Sequence, residues 1–175
     1  MTGKKVALRA IEPSDIETIH KWENDQNIWR LSNTLTPFSR YQIEHYILNS
    51  EQDIFTAKHL RLMIDRTDQP GNLTVGTIDL FDYEPMHRRA GIGILIADSH
   101  RNEGLASEAL QLLKTYAFET LQLHQLYCHI TPDNKASLSL FQKNGFIING
   151  TRKEWLLVQG SWVDEYFLQC MNPAK

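Results

Sequence analysis

The run Arg101-Asn102-Glu103-Gly104-Leu105-Ala106-Ser107 sets a cation, a glycine and small residues where an apolar strand gives way to a helix. The first turn of a helix leaves backbone N–H groups without partners inside the helix. Together with the positive end of the helix dipole, these donors suit a phosphate or pyrophosphate. Gly104 lets the main chain approach the anion, Ala106 keeps the helix start narrow, and Arg101 adds charge. The run contains no G-K-[ST], so it is not a Walker A loop. Gly91-x-Gly93 precedes an apolar stretch instead of opening a helix, which excludes a dinucleotide fingerprint.

Proton-transfer chemistry has a different set of candidates. Asp79, Asp82, Tyr83, Glu84 and His87 cluster at the end of one expected strand and the start of the next, where a water held by one of them would act as a base. His87 stands out because an imidazole titrates near pH 6.5. The seven histidines show no metal-ligand spacing, and His124 and His129 fall on either side of a strand start, so no metal is expected. Cys128 and Cys170 sit in apolar runs and read as buried thiols.

These groups are positioned by a regular alternation of elements. Val6, Leu8 and Ala10 alternate as a short edge strand. Ser14 or Asp15 caps a helix carrying Ile16, Ile19, His20 and Trp22, and Ser39 caps a second with Tyr41, Ile43, Tyr46 and Ile47. Asn24 to Thr36, between them, reads as a loop. Strands are expected at 60–64, 73–81 and 90–97, with a turn at Asp68-Gln69-Pro70-Gly71-Asn72. The long helix after Gly104 has an apolar stripe of Leu105, Ala109, Leu112, Leu113, Tyr116 and Ala117. A strand at 126–130, a helix from Asn134 through Phe141, and a hairpin of 155–158 and 162–171 about Gln159-Gly160 complete the chain. The order β-α-α-β-β-β-α-β-α-β-β is that of a mixed α/β single domain over residues 1–175.

A formal net charge of -3 gives no basic face for nucleic acid. No signal-like segment follows the N-terminus, and no apolar run approaches the roughly 18 residues of a membrane span. The expectation is therefore a cytoplasmic protein with no membrane partner.

Taken together, Arg101-x-x-Gly104-x-Ala106 after a buried strand, Asn134 with Ala136 opening a helix, and Phe141-Gln142-Lys143-Asn144-Gly145-Phe146 resemble the signature of the GNAT superfamily of N-acetyltransferases. His87-Arg88-Arg89-Ala90 and the closing Gly160-x-Trp162-x-Asp164 resemble the branch of ribosomal-protein alanine and spermidine N-acetyltransferases. The resemblance implies a GNAT fold: a central mixed, largely antiparallel sheet, splayed at the cofactor strand and flanked by helices. It implies acetyl-CoA as co-substrate, with its pyrophosphate on Arg101, Asn102, Glu103, Gly104, Leu105, Ala106 and Ser107. Its pantetheine arm would pair with the main chain of Ile94, Leu95 and Ile96, and Asn134, Phe141 and Lys143 would add further contacts. A bulge at Gly91 and Gly93 is where the ladder would loosen.

In that family the acceptor amine attacks the thioester directly, so no Ser or Cys nucleophile is needed. The tyrosine that commonly serves as general acid corresponds here to Phe141, and the frequent carboxylate on the cofactor strand corresponds to Gly91. Asp79, Glu84 and His87 are then the candidates for a water-mediated base, while Glu154 and Trp155 could line an acceptor pocket. Ser139, two residues before Phe141, faces elsewhere on the helix. The missing groups favour a weakly basic acceptor such as a protein N-terminus, because an α-amino group is partly unprotonated near neutral pH. A polyamine acceptor is the alternative, although Asn33 and Thr34 stand where an acid-rich loop would be expected. A CoA-binding regulatory module without turnover is an alternative of another class. Trp29, Tyr41 and Tyr46 would suit a homodimer face or the acceptor cleft.

Overall fold

The computed structural model describes residues 1–32, 34–49, 53–71 and 73–174, and no side chain of residues 30–32. Asn33 and Asn72, named above in a loop and a turn, lie outside the described residues, as does the side chain of Leu31. A seven-stranded sheet has the order β1-β2-β3-β4-β5-β7-β6. Its strands are β1 (Val6–Ala10), β2 (Leu60–Arg66), β3 (Thr74–Glu84), β4 (Arg89–Ile96), β5 (Gln125–Ile130), β6 (Ile147–Val158) and β7 (Ser161–Met171). Every neighbouring pair is antiparallel except β4 with β5.

Side chains alternate across a strand, so each face receives its own set. Leu62, Ile64, Ile78, Leu80, Ile92 and Leu126 face the main core beneath α5 (Leu105–Thr115). Leu105, Ala109, Leu110 and Leu113 on that helix are essentially inaccessible, each leucine contributing about 1.5–3 kcal/mol by burial. Leu110 belongs to this face as well as the residues of the expected stripe. The opposite face carries Met63, packed with Ile19 of α1 (Ile16–Glu23) and Ile43 and Ile47 of α3 (Arg40–Leu48). Tyr41 of α3 is 74% exposed and takes no part in that core.

Several local expectations are corrected. Asp15 does not cap α1 through its side chain. It ends a short 3-10 turn, Pro13–Asp15, and its carboxylate is taken up by hydrogen bonds from the Glu12 N–H and from Arg9. The segment 24–36 is not all loop: Gln26–Ser32 forms α2, started where the Asp25 carboxylate accepts the Asn27 N–H. A further short helix, α4 (Ile54–Ala57), is capped by Asp53. Strand β6 begins at Ile147, because its polar half pairs with β7 as a partly exposed edge whose composition hides the strand. Gln159 and Gly160 both have positive φ, as a two-residue hairpin turn of mirror-image type requires.

The expected bulge is elsewhere too. The register of β3 against β4 shifts between Phe81 and Glu84, not at Gly91 or Gly93. Gly91 meets a packing demand, since a Cβ there would lie 2.2 Å from the Phe81 ring.

Candidate active site

Helix α5 starts at Gly104, whose φ of 83° is left-handed and whose missing Cβ faces open space. Glycine is thus required by backbone conformation, and it leaves the approach to the helix clear. No side chain caps this N-terminus, whereas Ser39 caps α3 and Asn134 caps α6 (Lys135–Lys143). The free donors of α5 therefore face a groove of about 460 Å³. Its walls include Ile94, Leu95 and Ile96 on one side, Asn102 to Ser107 except Glu103 around the helix start, and Asn134 and Lys143 on α6. Glu103 turns away to Arg66, whose Nη1 lies 2.7 Å from its carboxylate, and does not line the groove. Arg101 lines the groove but donates to the Ile96 carbonyl and pairs with Asp98. The Ser107 hydroxyl is held by Asn144.

The parallel pairing of β4 with β5 covers only Arg89–Gly91 against Gln125–Tyr127. Beyond Gly91, β4 stays paired with β3 as far as Ile96 and its β5-facing main chain is unpaired. A second cleft, about 610 Å³, opens through this gap onto the face of α1 and α2. Ile94, Leu95, Asn134 and Ser137 line both cavities and so form their shared wall. Ser137 and Phe141 stand one helical turn apart on the same face of α6, both lining the second cleft. Phe141 is 3% exposed and packs edge-on against Phe146 at 5.0 Å.

Charges in this cleft form two poles. At one, Arg61 donates to both carboxylate oxygens of Asp79 (2.7 and 3.2 Å) and to Glu23 (2.5 Å). Burial raises the Asp79 carboxyl, but the Arg61 charge and contacts from His59 and Arg61 outweigh it and hold the group ionised below the usual range. At the other pole, Arg152 Nη1 donates to Glu165 at 3.0 Å and the guanidinium stacks 4.9 Å over the Trp155 ring. His129 on β5 lies between, its Nδ1 at 3.5 Å from Glu165 but outside hydrogen-bond geometry. That nitrogen is the one buried side-chain polar atom without a hydrogen bond among the described residues. Burial, and then the Arg152 charge, lower the His129 pKa and keep the ring neutral at pH 7.

The structure separates the residues singled out by sequence. Asp79 and Trp155 line the cleft; Glu84, His87 and Glu154 do not. Glu84 and His87 lie beyond the β3 bulge at the exposed β3–β4 turn, paired with each other and with Arg89. Tyr83 is buried against Phe55, and Asp82 accepts from Tyr127. Among the aromatic residues, Trp29 donates to the Glu23 carbonyl and Tyr46 lies under Arg61, so neither joins Tyr41 in a continuous exposed face. Sequence reading missed Glu23, His59, Arg61, Ser137, Arg152 and Glu165 as cleft residues, and His129 as more than a non-ligand. The available signal was a charged or polar residue interrupting one face of otherwise apolar strands, Arg61, Asp79 and His129 in particular.

Among the described residues no group of His, Cys, Asp and Glu could hold a metal ion. Among them no helix is long and apolar enough to cross a membrane.

The acetyltransferase (GNAT) domain profile matches residues 5–147. Spermidine N(1)-acetyltransferase of Vibrio cholerae is 28% identical over 166 residues, covering 93% of this chain and 90% of that protein. The probable N-acetyltransferase YjcK of Bacillus subtilis is 26% identical, covering 99% and 97%. A crystal structure of the Vibrio cholerae spermidine N-acetyltransferase with CoA and spermine superposes with a TM-score of 0.86 at 24% identity, over 97% of each chain. With a groove at an uncapped helix start, a splayed strand beside it and this match over most of its length, the chain belongs to the GNAT acetyltransferase family and is an N-acetyltransferase.

Proposed function

We propose that this enzyme moves the acetyl group of acetyl-CoA to a small amine or peptide N-terminus by direct attack, both substrates being bound at once. The observation that carries this reading is the shared wall of Ile94, Leu95, Asn134 and Ser137, where the cofactor groove opens into the acceptor cleft. Acetyl-CoA supplies a thioester with a good leaving thiol. The uncapped N-terminus of α5 holds its pyrophosphate, and the unpaired edge of β4 at Ile94 to Ile96 orders the pantetheine arm as an added strand would. A main-chain N–H on that edge stabilises the negative charge that develops on the carbonyl oxygen.

His129 accepts the proton that the neutral amine loses as the nitrogen–carbon bond forms. Asp79 is held ionised by Arg61 and is a weaker base, suited to orienting a water or the amine. Ser137 donates a hydrogen bond to the sulfur as the carbon–sulfur bond breaks; the thiolate leaves and takes its proton from solvent, to which His129 returns the proton it accepted. One proton leaves nitrogen and one reaches sulfur, so the products are an amide and a thiol. A base with a pKa below 6.5 works best on amines that are themselves weakly basic. A polyamine acceptor is the second reading, favoured by the spermidine acetyltransferases among the relatives and by Glu23, Asp79 and Glu165 in the cleft.

The test is initial-rate kinetics of thiol release with both substrates varied, using wild type and Ser137→Ala. Direct attack gives intersecting double-reciprocal lines, and the variant loses about 10-fold to 100-fold in kcat with acetyl-CoA binding retained. Parallel lines, or a trapped acetyl-enzyme, would overturn it.

A further inference from the structure

The two arginines of the acceptor cleft differ in what they leave unsatisfied. Arg61 is 19% exposed and directs Nε, Nη1 and Nη2 at Asp79 and Glu23, so its charge and donors are spent within the protein. Arg152 is 39% exposed and donates through Nη1 alone, to Glu165. A guanidinium carries five N–H donors, so most of its fork is open to the cleft it lines.

That fork is also held in place. Its Cζ lies over the Trp155 ring, 4.9 Å from the centroid, and Trp155 follows a register shift of β6 between Arg152 and Leu156. The shift is pinned where Glu154, at φ 48°, donates its N–H to Asp164 at 2.9 Å and Lys153 pairs with the same carboxylate. A stacked, fixed guanidinium with free donors matches a carboxylate in bidentate geometry.

We infer that the acceptor is a zwitterion: a small amine bearing its own carboxylate, the carboxylate on Arg152 and the amine between Gly93 and His129. The inference rests on the acetyl-transfer reading above and narrows its substrate class. It sets this chain apart from the relatives named for spermidine.

The experiment measures kcat/KM for amino acids, for their carboxamides and for spermidine, with rates referred to unprotonated amine, in wild type, Arg152→Gln and Arg152→Lys. The amino acid is expected to exceed its carboxamide by at least about tenfold, as a charge-assisted bidentate contact provides. Arg152→Gln is expected to remove that advantage chiefly through the amino-acid KM, and Arg152→Lys to restore part of it. Carboxamides or spermidine equal to or better than the amino acids would overturn the inference while leaving acetyl transfer standing. An advantage that survives Arg152→Gln would overturn the assignment to Arg152. No turnover of any amine by protein that binds acetyl-CoA would instead strike the acetyl-transfer reading, and this inference with it. Should Arg152→Gln fail to fold, the wild-type comparison of amino acid with carboxamide decides alone.

Discussion

The cofactor groove and the acceptor cleft meet at Ser137 yet are built from different material. The groove is mostly backbone: the start of α5, the free edge of β4 and a left-handed glycine, with residues 94–96 and 101–107 close together in the chain. The cleft is mostly side chains, brought from α1, α2, β2, β3, β4, β5, α6, β6 and β7. Backbone sites tolerate wide variation in side chains and so suit a ligand shared by a whole family. A cleft made of side chains can change its acceptor by changing a few of them, and its two charge poles are of this kind.

The contrast is broken most strongly at Gly104. Gly104→Asp places an L-residue at φ 83°, costing about 1–2 kcal/mol, and sets a carboxylate where the anion belongs. Acetyl-CoA affinity by calorimetry is expected to fall about 100-fold to 1000-fold, with turnover on every amine falling alike. Retained affinity would mean that the pyrophosphate lies elsewhere.

His129→Gln acts on the cleft alone. The wild-type pKa lies below the ordinary imidazole value, so the base is present above about pH 6.5 and is lost as pH falls and the ring protonates. With rates referred to free amine, kcat/KM is expected to be flat above that range and to decline below it. The variant is expected to lose about 100-fold and the acidic limb together, with acetyl-CoA affinity unchanged. A limb that persists in the variant would assign the base to another group.

The finest contrast lies within β4, between two glycines two residues apart. A Cβ at Gly93 would meet only Phe81, at 3.7 Å, so Gly93→Leu is expected to fold and to fill the acceptor cleft opposite Asp79. The amine KM should rise about tenfold or more and the acetyl-CoA KM little. Gly91→Ala meets the Phe81 ring at 2.2 Å and is expected to cost about 1–3 kcal/mol, seen as several degrees in Tm, with the amine KM unchanged. Equal effects at the two positions would mean that neither glycine belongs to the site.

Legibility in the sequence follows the same division. Arg101-x-x-Gly104-x-Ala106 sits next to the strand and helix that bound the groove, so local spacing points to most of the residues that line it there. Glu103 was the exception, because only tertiary contact with Arg66 turns it outward. Asp79 reads as one acid among several near a turn, and nothing local separates it from Glu84 or His87. The bulge at Phe81–Glu84 and the antiparallel register do so, putting Asp79 opposite Arg61 and Gly93 and leaving the other two in solvent.

The sequence by itself determined most of the strands, the apolar face of α5, the short motif at its start and the family, because these rest on periodicity or on short motifs. Only the tertiary structure decided that Ser137 stands where two cavities join, and that Arg61 is satisfied while Arg152 is open. Those features depend on pairs such as Arg61–Asp79 and Arg152–Glu165, whose partners are set by strand register. Register is fixed by the packing of whole faces against the core, and no short stretch of sequence contains it.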